Sequence, residues 1–67
     1  SMASIYWEQG KTHESVRLYK DVVQMTRDIK YGQGLSHALR TLGELLLVLN
    51  EPREALDHLL ESTEVFA

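Results

Sequence analysis

From Val16 to Phe66 the large apolar residues of this chain return every three or four positions, the period of a helix that buries one side. Val16, Tyr19, Val22, Val23, Thr26 and Ile29 make one such stripe. Leu35, Ala38, Leu39, Leu42, Leu45, Leu46 and Leu49 make a second. Ala55, Leu56, Leu59, Leu60, Thr63 and Phe66 make a third. The expected fold class is all-α. Leu18 and Met25 lie off the first stripe, which points to a second buried face on that helix. Leu47 and Val48 make the end of the next helix apolar nearly all round, so burial on more than one side is expected there.

A chain of 67 residues is at most one small domain. A single core of that size supplies only ~3–5 kcal/mol. There is no cysteine, which removes disulfides and thiolate zinc sites as staples. Good helix packing and self-association remain. The net charge of −3 argues against a nucleic-acid surface, which shows a basic face. The longest apolar run, Leu45 to Leu49, is far short of the ~20 residues of a membrane span. No basic start followed by an apolar stretch marks a signal peptide. Together with the missing cysteines, this makes the cytoplasm the expected compartment.

Punctuation divides the chain into four helical segments. The first, roughly Met2 to Gln9, carries Ile5, Tyr6 and Trp7 and is expected to end at Gly10 in a left-handed cap. Thr12 then offers an N-cap oxygen, with Glu14 in the first turn. A helix–helix corner is expected near Lys30 to Gly32, and Gly34 is placed at the start of the next helix. Asn50 tolerates a left-handed cap, and Pro52 suits the first position of the last helix.

The chain also resembles itself at an offset of 40 residues. Gly10 then faces Asn50, Glu14 faces Glu54, and Ser15 faces Ala55. Val16 faces Leu56, Tyr19 faces Leu59, and Val23 faces Thr63. Ahead of the turn, Met2 faces Leu42, Ala3 faces Gly43, Ile5 faces Leu45, and Tyr6 faces Leu46. Leu18 opposite His58 and Val22 opposite Ser62 are departures.

The run Leu42-Gly43, Leu46, Asn50, Glu54-Ala55, Leu59 and Ser62 resembles the tetratricopeptide-repeat pattern. Tyr6, Gly10, Glu14-Ser15 and Tyr19 look like part of a preceding repeat. Leu39 stands where the family often has Trp, Leu46 and Leu59 where it has aromatics, and Asn50 where it has Gly. The spacing exceeds the usual ~34 residues and is similar to a longer-helix, roughly 40-residue subtype of signalling adaptors. The resemblance implies antiparallel helical hairpins of an α-solenoid fragment, about one and a half repeats. Residues 1–29 would be the second part of one repeat, and residues 32–67 one full repeat. Gly43, Ala55 and Ser62 are small enough for paired helices to approach closely, as stacking requires.

The resemblance also implies a function, a protein-interaction scaffold that binds a partner segment along the first helices of its repeats. Carried onto this chain, those positions are His37, Arg40, Glu44, Leu47 and Val48. The chaperone-binding subclass has a basic residue at the Arg40 position and Asn at the Glu44 position, to clamp a terminal carboxylate. Glu44 would repel that carboxylate, so the subclass is not expected. Trp7, the single tryptophan, is either an interface anchor or a core residue; period and spacing do not decide.

Glu54, His58 and Glu61 share a helical face with the donor types of a metal site. Only one such cluster exists, and a solvated polar face is the simpler reading. No converging acid–base set and no phosphate-binding glycine pattern appears, so no catalysis and no cofactor are expected. A fragment of stacked repeats leaves apolar end faces, so a homodimer is expected, exchanged helices being one form of it. A dedicated helical dimerisation module is the alternative function.

Overall fold

The computed structural model of the chain describes the backbone of residues 2–65 and the side chains of residues 7–65. Three helices follow one another: α1 (Met2–Asp28), α2 (Gly32–Val48) and α3 (Pro52–Glu64). Among the described residues there is no strand. Phe66 and the side chains of Met2, Ala3, Ile5 and Tyr6, on which parts of the expected stripes and of the self-similarity rest, lie outside the described residues.

The first two expected segments are one helix. α1 runs through Gly10, which has a negative φ and does not reverse the chain. Thr12 is not an N-cap: its hydroxyl donates back to the Glu8 carbonyl at 2.9 Å. The Lys11 ammonium lies 4.9 Å from the Trp7 ring centroid. Both contacts step across Gly10 from one turn to the next. A glycine inside a helix costs about 1 kcal/mol, and an exposed cation–π contact returns about 0.5–1 kcal/mol. These terms are near balance, and Trp7 to Lys11 are all exposed, so among the described side chains none around Gly10 is packed in a way that favours a reversal.

The two real corners repeat one design. Lys30 has φ 58° and Asn50 has φ 60°. At the first, the Lys30 amide donates to Arg27 at 3.1 Å and the Tyr31 amide to Thr26 at 2.9 Å. At the second, Asn50 donates to Leu47 at 3.0 Å and Glu51 to Leu46 at 2.8 Å. Both are Schellman caps, built around a left-handed residue that is not glycine. The corner near Lys30 to Gly32 falls where the sequence places it, but Lys30 is the left-handed residue. Gly32 opens α2 with Gly34 inside it, and Pro52 opens α3.

α2 is the centre of the fold. It contributes Leu35, Ala38, Leu39, Leu42 and Leu46 to the core, with Leu39 and Leu42 fully buried. Val16 and Val23 meet it from α1, and Ala55 from α3. The α2–α3 crossing is close because it is lined by small residues. A Cβ on Gly43 would stand 2.7 Å from Leu59 Cγ and 3.2 Å from the Ala55 carbonyl oxygen. Nearby, the Ser36 hydroxyl donates to the Ser62 carbonyl at 3.0 Å, and Ser62 donates to Leu59 at 2.7 Å, so neither buried hydroxyl is left unpaired. The third stripe splits on folding: Ala55 is buried, whereas Leu56, Leu60 and Thr63 face outward.

Two glycines therefore respond oppositely to alanine. A Cβ on Gly10 meets nothing within 4 Å. Gly10→Ala is expected to stabilise the chain by up to about 1 kcal/mol through helix propensity alone. Gly43→Ala gains the same propensity but forces Leu59 and Ala55 apart, an overpacking cost of about 1–3 kcal/mol. Urea midpoints should rise for the first variant and fall for the second.

Candidate functional site

α2 buries one side and shows the other. Leu35, Ser36, Ala38, Leu39, Leu42, Gly43 and Leu46 point inward. His37, Arg40, Glu44, Leu47 and Val48 are all exposed, and their three- and four-residue steps put them along one outer face. The face is polar in its first half and apolar in its second. Arg40 Nε lies 3.6 Å from Glu44 Oε1, an intrahelical pair at four-residue spacing. The two residues most relevant to carboxylate binding thus engage each other, and the pair presents no net charge. Leu47 and Val48 are 52% and 72% exposed, contrary to the expectation of burial on more than one side. The reason is that among the described residues α2 has two neighbours, α1 and α3, and both lie on its inner side.

Trp7 is not part of this face. It sits in α1 nine residues before Val16, the first core residue among those described, a distance of about 13 Å along the helix. It is 66% exposed, with the Lys11 ammonium over its ring, so within the described residues it is not a core side chain.

Glu54 and Glu61, whose face the sequence reads as solvated and polar, face α1. Glu54 Oε1 is 3.3 Å from Lys20 Nζ, and Glu61 Oε2 is 2.7 Å from Arg27 Nη1. Both partners advance seven residues, so α1 and α3 run parallel on either side of α2. His58 Nε2 is buried without a hydrogen-bond partner, 3.9 Å from Glu54 Oε1. Among the described residues no three histidine, cysteine or acidic side chains are grouped to hold a metal ion. The hydrogen bond to Glu61 is the main cause that raises Arg27 above its already high pKa. A raised base stabilises the fold below its ordinary pKa. For an arginine that window spans every working pH, so Arg27 adds no pH dependence.

This inter-helix pairing was not identified from the sequence, although Lys20/Arg27 and Glu54/Glu61 share a seven-residue spacing that could have suggested it. The pairs are substantially exposed, which limits their strength. Double-mutant cycles with Lys20→Met/Glu54→Gln and Arg27→Met/Glu61→Gln should each give a coupling of about 0.2–1 kcal/mol that shrinks in high salt.

A family model described as "Tetratricopeptide repeat" matches residues 1–67. Comparison with curated proteins and with solved structures returned no match.

Proposed function

Because the chain belongs to the tetratricopeptide repeat family, we propose that it is a non-catalytic scaffold that binds a protein or peptide partner along the outer face of α2. Repeats of this family serve protein–protein contact. The observation carrying the reading to residues is the exposed face itself: Leu47 and Val48 lie unburied beside the paired Arg40 and Glu44, with His37 one turn away. Apolar side chains next to hydrogen-bonding groups suit a short amphipathic segment. The same proposal divides the chain into residues 1–29, the second part of one repeat, and residues 32–67, a full repeat. It assigns a cytoplasmic location, no cofactor, and neither nucleic acid nor membrane as partner. The net charge of −3 supports the exclusion of nucleic acid. Among the described residues no helix is long and apolar enough to cross a membrane.

A second reading, homodimerisation as the function itself, is favoured by the apolar side chains left outward on all three helices. The two readings separate experimentally. Peptides selected from a random library against the 67-residue chain should lose about fivefold or more in affinity with Leu47→Ala or Val48→Ala, about 1 kcal/mol each, and little with Leu60→Ala. Peptides indifferent to both α2 substitutions would overturn the assignment of the face. Light scattering over a dilution series should show a dimer that dissociates as concentration falls. A folded monomer throughout would sink the homodimer and leave the peptide face standing.

A further inference from the structure

We propose that two copies of this chain associate through α1, packed antiparallel on its own symmetry mate along Leu18, Val22, Met25 and Ile29. The inference rests on the homodimer reading above and gives it an interface. The four side chains are 59%, 37%, 64% and 71% exposed. They stand roughly a third of a turn around α1 from the buried side that carries Val16, Tyr19, Val23 and Thr26. Lys20 and Arg27, which bind α3, lie on yet another side. Among the described residues, packing within one chain therefore leaves this stripe largely exposed.

A second copy is the occupant because the stripe matches itself. Its spacing is four, three, four, and it reads the same in reverse. A two-fold axis between Val22 and Met25 sets Val22 against Met25 of the other copy and Leu18 against Ile29, so every apolar side chain meets an apolar one. Closed two-fold pairing is the commonest form of self-association and needs such self-complementarity. The outward residues of α3, Leu56, Leu60 and Thr63, have no such symmetry and end in a hydroxyl. The charged flank is close to neutral toward the pairing: Asp28 falls opposite Tyr19, two residues from Arg17 on one side and two from Asp21 on the other. An alternative axis through Leu18 would add Trp7 but would press Glu14 onto Val22, burying a carboxylate against an aliphatic side chain. Four anchors per copy are few beside the ~20–30 residues a side of a standard interface, so the dimer is weak and concentration-dependent.

Sedimentation equilibrium on the 67-residue chain, its Met25→Glu variant and its Leu60→Glu variant tests this, with circular dichroism to verify folding. Met25→Glu should weaken dimerisation at least tenfold, and Leu60→Glu should leave it within about twofold. The chain has no native cysteine, so single cysteines give an independent readout. Under mild oxidation, a mixture of Val22→Cys and Met25→Cys chains should form the mixed disulfide well above either like pair. A dimer weakened by Leu60→Glu and not by Met25→Glu would overturn the α1 interface while leaving homodimerisation intact. Efficient self-crosslinking of Leu18→Cys would overturn the proposed axis. A monomer at all concentrations would overturn both the interface and the dimer.

Discussion

The structure depends on α2 being packed from two directions at once. Alone it is a 17-residue helix with seven buried positions and no means of burying them. α3 approaches closely because Gly43 has no side chain and Ala55 has a small one, and the Ser36–Ser62 bond closes the same contact. α1 completes the enclosure with Val16 and Val23. Losing either neighbour would expose Leu39 and Leu42, the two largest fully buried side chains. Truncating a buried leucine costs about 2–5 kcal/mol, comparable with the whole stability of a domain this small. The fold has little redundancy, and its surface shows the consequence: each helix leaves apolar side chains facing outward.

The connections impose this arrangement with two nearly identical corners. Lys30 and Asn50 take the left-handed conformation at the cost of a Cβ clash, which asparagine tolerates better than lysine. Two helix-end carbonyls are satisfied at each corner, which offsets that cost. Short reversals make successive helices antiparallel neighbours, so α1 and α3 emerge parallel with α2 between them. Their ion pairs decorate this arrangement; exposed pairs are too weak to impose it.

Much of this was legible in the sequence because helix period, small residues and proline act locally. The α2–α3 hairpin follows from Asn50, Pro52, Gly43 and Ala55, each constraining its neighbourhood through sterics. Gly10 misleads for a physical reason: a glycine permits a reversal without enforcing one, and the outcome depends on what the reversed chain would pack against. The self-similarity at 40 residues matched Gly10 with Asn50 in position but not in conformation. Leu47 and Val48 are exposed against expectation because apolar content states what a helix tolerates, and only its neighbours decide which side is covered. The outer face of α2 was legible as a set only through the family resemblance, which names His37, Arg40 and Glu44; helical spacing is consistent with their sharing one side. Trp7 was not, because its surroundings depend on how far α1 runs straight.

That straightness separates α1 into regions of different cooperativity. From Trp7 to Glu14 only Thr12 is even half-buried, so the backbone hydrogen bonds there are held by local helix propensity, with a glycine among them. From Val16 onward the same helix is bound to the core, and its amides can open only with it. One unbroken element thus contains both a rapidly exchanging segment and a segment protected up to the global unfolding free energy, with the boundary set near Val16 by burial and not by any break in secondary structure.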